Sequence, residues 1–162
     1  MATATLSVTH TESISLNDRE QGGTKTYTIA SIADVYKRIV TCPAGSDTTV
    51  ATFQALTSTS DNAIDLDLTK YIRVTNLDSS NSVNLSLQVA GAEGGTDNMS
   101  ATIVLAAGET FTMGSPHDGI GISDANATII TLAAAINDLE SIIVDPGSNA
   151  VAVEVVVAST AA

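Results

Sequence analysis

Residues 83–89 read Val83-Asn-Leu-Ser-Leu-Gln-Val89, in which every second residue is large and apolar and the residues between them are polar. Successive side chains of a β-strand point to opposite faces, so this alternation predicts a strand with one buried and one solvated face. The closing run Val151-Ala-Val-Glu-Val-Val-Val157 has the same period and carries further apolar residues on its second face. It therefore predicts a strand that is buried over most of its length.

Alternation of this kind recurs outward from these two segments through most of the chain. Thr, Val and Ile together number 50 of the 162 residues, and β-branched side chains favour pleated sheet. Turn-forming residues separate the segments and predict three hairpins, which join 71–75 to 83–89, 102–105 to 110–113 and 142–144 to 151–157. The other predicted strands are 5–8, 12–16, 25–29, 35–42, 48–56, 63–68 and 120–122.

Many short strands in a chain of this length predict an all-β fold. A chain of 162 residues fits one domain, and strands joined by regular turns are typical of sandwiches. We therefore expect a single antiparallel β-sandwich domain over residues 1–162, similar to a jelly roll.

One segment departs from the period of two. Its apolar residues have the spacing of a helix face and are Ile129, Leu132, Ala133, Ile136 and Leu139. Asp124 or Asn126 could cap such a helix. The sequence predicts one short helix near residues 128–141, with a strand as the equal alternative.

The net charge of the chain limits the classes of partner that it can bind. Eighteen acidic residues against six basic ones give a net charge of −12, and residues 74–162 contain no Lys or Arg. Affinity for phosphate backbones and for anionic lipids rests on Lys and Arg. The composition therefore argues against nucleic acid and against a membrane surface as partners.

Most of the basic residues fall in two short segments, Lys37 with Arg38 and Lys70 with Arg73. We interpret these four as one patch, a candidate interface that meets an acidic neighbour. The half of an adjacent copy that lacks Lys and Arg has the required charge. We therefore predict a homo-oligomer that is stabilised in part by contact between the basic patch of one copy and the acidic half of the next.

The first residues do not have the positive region and continuous apolar core of a secretory signal, so export by that route is not expected. A stretch long enough to cross a bilayer, about 20 apolar residues, is also missing from the sequence. Cys42 is the single cysteine, which excludes a disulfide within one chain.

The sequence contains few candidates for catalytic or metal-binding residues. A nucleophile needs a base beside it, and the only histidines are His10 and His117; His117 stands next to Asp118 without a hydrolase or zinc signature. The turns at 78–81 and 145–149 supply oxygen ligands of the kind calcium prefers, although Asx-turns explain both without an ion. The sequence therefore predicts no catalytic residue, no cofactor site and no metal site, and a protein that is not an enzyme.

Two turns carry a resemblance to a known class of proteins. Thr75-Asn-Leu-Asp78 ends one predicted strand, and Leu105-Ala-Ala-Gly-Glu109 precedes another. Together with the strands around them, over about residues 64–157, these turns resemble a pattern of small β-sandwich virion proteins of tailed bacteriophages. The resemblance implies a structural role, as a capsid decoration (cement) protein or a tail-associated subunit. It assigns no functional residue, because both turns are scaffold.

The first functional hypothesis is therefore a non-enzymatic virion component, assembled in the host cytoplasm, whose partners are copies of itself and the major capsid or tail proteins. Capsid decoration is its simplest form, and a tail- or neck-associated subunit is the alternative. A receptor- or glycan-binding module of a fibre is a second hypothesis, which the small number of aromatic residues disfavours. A small hydrolase or isomerase on a jelly roll is a third, and it requires a His/Glu/Asp cluster inside the fold.

Overall fold

A computed structural model describes residues 3–54, 64–89, 99–114 and 139–161. These residues form strands, turns and loops without a helix, which confirms the predicted all-β class. The strands are β1 (Ala4–Glu12), β2 (Ser15–Leu16), β3 (Arg19–Glu20), β4 (Gly23–Cys42), β5 (Thr48–Gln54), β6 (Ile64–Asp65), β7 (Thr69–Asn76), β8 (Val83–Val89), β9 (Met99–Leu105), β10 (Thr110–Gly114), β11 (Leu139–Asp145) and β12 (Val151–Thr160).

The strands are arranged in two main sheets and one small hairpin. Sheet I has the order β1-β4-β12-β7-β10, sheet II has the order β6-β5-β11-β8-β9, and β2 pairs with β3. Eight strands show a nested pairing: the first (β4) pairs with the last (β12), then β5 with β11, β7 with β10, and β8 with β9. An antiparallel double sheet with this nesting is a jelly roll, so the predicted sandwich type is confirmed.

The core lies between the two sheets and is built from the alternating residues of their inner faces. In β12 the side chains of Val153 and Val155 are fully buried, as is Leu85 in β8. Asn84, the neighbour of Leu85, points outward and is exposed, as the alternation predicts. The largest fully buried side chains are Ile72, Val74, Val83, Leu85, Leu139, Ile142, Val144, Val151, Val153, Val155 and Val157.

The three predicted hairpins are wrong. The loop after β7 leads from sheet I to β8 in sheet II, the loop after β9 leads back to β10 in sheet I, and the loop after β11 leads to β12 in sheet I. In each case the chain crosses the sandwich instead of returning beside the strand it has left. Alternate residues are buried equally well in a hairpin within one sheet and in two strands of facing sheets. The apolar alternation therefore did not distinguish between these two connections.

The predicted helix near 128–141 is wrong over its last three residues, and residues 128–138 lie outside the described part. Residues 139–141 begin strand β11. Leu139 and Ile142 are both fully buried although they are three residues apart, because the pairing with β8 shifts by one residue between Leu139 and Ser141. Such a bulge gives a strand the spacing of a helix face.

Two further strand predictions need correction. Of the strand predicted at 63–68, residue 63 lies outside the described part and Ile64–Asp65 is extended. The Asp65 Oδ1 atom then accepts the backbone N–H groups of Asp67 (2.9 Å) and Leu68 (3.3 Å) and holds residues 66–68 in a turn. The strands predicted at 25–29 and 35–42 are one strand of 20 residues, β4. A bulge interrupts the alternation of β4 near Ser31, whose φ is 61°.

The two turns named in the sequence resemblance contact each other through Asn76, which is fully buried at the end of β7. Its side-chain Nδ2 donates to the backbone oxygens of Asn81 (2.8 Å), Leu105 (3.2 Å) and Ala106 (3.1 Å). Its Oδ1 accepts the backbone N–H of Asp78 at 3.0 Å. One amide side chain thus joins the loop after β7 to the turn between β9 and β10.

Candidate interaction surface

The first half of β4 extends beyond the part that pairs with β12 and pairs with β1 instead. Residues 23–32 of β4 pair with β1, and residues 32–42 pair with β12. Ile32 pairs with Ala4 and also with Thr160, so β1 and β12 lie on opposite edges of β4. We call residues 4–31 the arm.

The two faces of the arm differ. One face carries cross-strand threonine pairs, with the hydroxyls of Thr9 and Thr26 2.9 Å apart and those of Thr11 and Thr24 3.3 Å apart. Pairs of this type stabilise antiparallel strands. All four residues are exposed, so this face of the arm is solvated.

The other face of the arm packs on the outer surface of sheet I. A small second core forms there from Ile32, Tyr71 and Ala158, against which Leu6, Val8 and Ile29 of the chain pack. Burial raises the pKa of the Tyr71 hydroxyl, which agrees with its position under the arm. The base of the arm is therefore anchored by apolar contacts.

The arm runs across sheet I towards its far edge. A groove of about 410 Å³ is bounded by β1 residues from Leu6 to His10 on one side and by Val156 and Thr112 of the sheet on the other. Thr112 belongs to β10, the edge strand farthest from β4 in sheet I. His10 is also held on the arm itself, because its ring stacks on Tyr27 at a centroid distance of 5.7 Å.

The end of the arm, residues 12–22, is a compact hairpin that we call the tip. Asn17 and Asp18 have φ values of 53° and 58°, the left-handed pair of a tight hairpin turn. The Glu20 Oε1 atom accepts the backbone N–H groups of Ile14 (3.0 Å) and Gly22 (2.7 Å). These two bonds favour the ionised carboxylate and lower the pKa of Glu20 below its ordinary value.

The tip exposes two large apolar side chains. Ile14 is 56% exposed and Leu16 is 55% exposed, and neither belongs to a core cluster of the described residues. Their spacing of two places them on the same side of an extended chain. The tip also carries three acidic residues and one basic residue, a net charge of −2.

The structure separates the four basic residues that the sequence grouped as an interface. Lys37 on β4 and Arg73 on β7 both form ion pairs with Glu154 on β12, the Lys37 Nζ to Glu154 Oε2 distance being 3.2 Å. These three side chains form a triad on the outer face of sheet I with a net charge of +1. The Glu154 side chain is only 16% exposed, which strengthens its attraction to both cations.

The other two residues of that group have different surroundings. Arg38 follows Lys37 in β4 and therefore points to the opposite face, where its guanidinium lies 5.1 Å from the ring centre of Tyr36. Lys70 is half-buried on β7, and its backbone is approached closely by Gly114, which leaves no room for a side chain at that glycine. Lys37 and Arg73 are thus brought together, and Arg38 is not.

The sequence analysis missed an exposed apolar pair on β4. Val35 is 56% exposed and Ile39 is 64% exposed, and both share the outer face with Lys37. We call these three residues the outer-edge patch. In the part of the chain that the structure describes, residues 33–42 have a strand partner on one edge only. The signal in the sequence was the presence of large side chains on both faces of 35–40, since Tyr36 and Val40 pack on the core.

Apart from His10, the candidate catalytic and metal-binding residues lie at turns or outside the described part of the chain. His117 and Asp118 lie outside the described residues. Asp78 and Asp145 accept backbone N–H groups of their own turns, with Asn81 (2.7 Å) and Gly147 (2.8 Å) respectively, and bonds to the turn lower the pKa of Asp78. No group of three metal-ligating side chains is found within the described ranges. Over the same ranges, no helix has the length and apolar character needed to span a membrane.

Comparison with known proteins gives little further information. No family model matches the chain, and no curated protein matches it. A solved structure described as that of Bacillus endospore appendages, "a novel family of disulfide-linked pili", is similar to it with a TM-score of 0.33. The similarity has 12% sequence identity and covers 78% of this chain and 89% of that one. A score this low establishes neither a shared fold nor a shared function.

Proposed function

We propose that this chain is a non-enzymatic structural subunit that assembles with copies of itself through the arm. The observation that carries the proposal is the contrast along the arm between a base packed on sheet I and a tip that exposes Ile14 and Leu16. Burying a side chain of this size contributes about 1.5–3 kcal/mol, so a partner that covers both side chains gains stability from the contact. Repeated contacts of this modest strength add up in a symmetric assembly.

The charge distribution supports assembly with other copies. The region after residue 73 carries ten acidic residues and no basic ones, whereas the triad of Lys37, Arg73 and Glu154 leaves one positive charge on sheet I. Opposite charges on two surfaces of the same chain favour contacts between unlike surfaces of neighbouring copies. The high overall charge keeps single copies soluble before they assemble.

More specifically, we propose that the assembly is the virion of a tailed phage and that the subunit is a capsid decoration protein, added in the host cytoplasm. The support is the sequence resemblance over about residues 64–157, whose two turns are held together by Asn76. Jelly rolls also occur in viral capsids, a fold-level analogy that adds support without assigning the role. A tail or neck subunit is the alternative position in the particle.

Self-association is tested by sedimentation velocity over a range of concentrations. We expect the wild-type chain to form species larger than its monomer mass of 16.5 kDa. The double variant Ile14→Ser with Leu16→Ser removes the apolar tip and is expected to weaken association at least about tenfold. Val104→Ser is the matched control, because Val104 is 62% exposed on sheet II. A monomer at every concentration, or equal association of the tip variant, contradicts the proposal.

The place in a virion is tested by peptide mass spectrometry of gradient-purified particles from the source of the chain. The amount of this chain is measured relative to the main shell protein. We expect a ratio of the same order as the shell protein, which is what decoration of the whole capsid requires. A ratio far below that indicates the tail or neck, and absence from the particles overturns the virion proposal.

A further inference from the structure

We infer that the tip of one copy docks on the outer-edge patch of a second copy. This inference rests on the proposed function and names the surface that receives the arm. It joins two pairs of large apolar side chains that are exposed near sheet I, Ile14 with Leu16 and Val35 with Ile39.

The spacing of the two surfaces matches. Alternate residues of a strand lie about 6.6 Å apart, so Ile14 and Leu16 are separated by one such interval. Val35, Lys37 and Ile39 stand in a row on the outer face of β4 and leave two gaps with the same interval between them. Each apolar side chain of the tip can therefore enter one gap, where it contacts an apolar residue and the aliphatic part of Lys37.

The charges also match. The tip has a net charge of −2. The Glu20 carboxylate accepts two backbone N–H groups of the tip, which lower its pKa, so it stays negative at neutral pH. Lys37 is 60% exposed in the middle of the patch, and the triad to which it belongs is positive. Attraction between these surfaces orients the tip on the patch.

Charge also disfavours the simplest competing occupant, the same edge of another copy. Two β4 edges placed side by side would bring Lys37 and Arg38 towards the same residues of the partner. Like charges opposite each other destabilise strand pairing, and lysines on an edge are a known protection against it. An acidic strand such as the tip is the better partner.

We expect the contact to form between copies, because the groove along the arm leads from β4 towards the far edge of sheet I. The arm is anchored over Tyr71 on β7, and the groove beside it is lined by Lys37 of the patch and extends to Thr112 on β10. The patch lies on β4, towards the opposite side of sheet I. Each copy thus donates a tip in one direction and presents a patch in another, which gives a head-to-tail contact that builds rings or filaments.

The test is disulfide trapping between two differently tagged copies. One copy carries Leu16→Cys, and the other carries Val35→Cys or Ile39→Cys; all three positions are more than half exposed. The native Cys42 is fully buried and does not compete. We expect mixed disulfide dimers to form at least about tenfold faster with one of the patch variants than with the control Val104→Cys, because docking raises the effective concentration of the thiols.

Sedimentation of the same unlinked mixtures separates the two proposals. If the chain associates but Leu16→Cys links to the patch no faster than to Val104→Cys, the docking inference is overturned and the proposed function stands. Preferential linking of Ile39→Cys to itself identifies an edge-to-edge dimer and likewise overturns the inference. If the chain does not associate at all, both proposals fail.

Discussion

The variant Val155→Asp is expected not to fold. Val155 is fully buried in the middle of β12, where Arg38 of β4 and Val74 of β7 are its strand neighbours and its side chain enters the core between the sheets. A carboxylate there is taken out of water among apolar side chains, and the cation opposite it, Arg38, is an exposed residue whose guanidinium lies over the Tyr36 ring. Burying the polar group and losing the apolar contacts should cost a large part of the 5–15 kcal/mol or so that stabilises a typical domain. Val153 and Val157 are buried on the same face of β12, so the same result is expected at either position.

Circular dichroism and urea titration measure this loss. The wild type is expected to unfold cooperatively, whereas Val155→Asp should show no transition from a folded baseline at 25 °C. The matched control Val104→Asp places the same side chain on the solvated face of β9, at a residue that is 62% exposed. Its free energy of unfolding should stay within about 1 kcal/mol of the wild type. A cooperative transition for Val155→Asp near that of the wild type would show that β12 is not central to the core.

The sequence predicted which residues are buried better than it predicted which strands are neighbours. The alternation in 83–89 and 151–157 identified the core faces of β8 and β12 correctly. The strand pairing was predicted wrongly because the residues that form a turn are the same in a hairpin and in a loop that crosses between sheets. The turn after β11 shows this: Asp145 and Gly147 form an ordinary Asx-turn, while the Gly147 oxygen accepts the N–H of Gly45 from another loop at 2.6 Å.

The grouping of the four basic residues was predicted only in part for a related reason. Lys37 and Arg73 meet because both pair with Glu154, which is 81 residues after Arg73. A contact over that distance depends on the order of strands in sheet I, which the sequence pattern did not give. The exposure of Val35 and Ile39 depends on the same order, because β1 leaves the edge of β4 at Ile32.

The sequence did not predict that the arm continues into the same strand as residues 32–42. Separate strands were predicted for the two halves of β4, and the bulge near Ser31 explains the break in alternation between them. The sequence could not show that the first half of β4 packs with β1 on the outer surface of sheet I, because alternation is equally present where the buried side faces the core and where it faces an outer surface. Packing of Leu6 and Val8 on Tyr71 is again a contact between distant residues.

The variant Asn76→Asp is expected to destabilise the jelly roll strongly while keeping the shape of the side chain. The change replaces the Nδ2 donor by an oxygen and places it next to the backbone oxygens of Asn81, Leu105 and Ala106. Leaving a buried acceptor without its donor costs about 1–3 kcal/mol. The Nδ2 group carries two hydrogens, and the Ala106 oxygen still accepts the backbone N–H of Glu109 at 3.0 Å, so about two such losses should lower the free energy of unfolding by about 2–6 kcal/mol. Urea titration at pH 7 measures the difference.

A matched control and a change of pH identify the cause. Asn149→Asp makes the same replacement in an exposed turn and should change the free energy of unfolding by less than about 0.5 kcal/mol. Burial beside carbonyl oxygens disfavours ionisation, so the carboxyl introduced at position 76 should have a raised pKa in the folded state. Its protonated form can donate one hydrogen bond, and the loss relative to wild type should therefore shrink as the pH falls. A loss below about 1 kcal/mol at pH 7 would mean that the two turns are held by their backbone bonds, such as Asn76 N–H to Glu109 O at 2.9 Å, and not by the amide side chain.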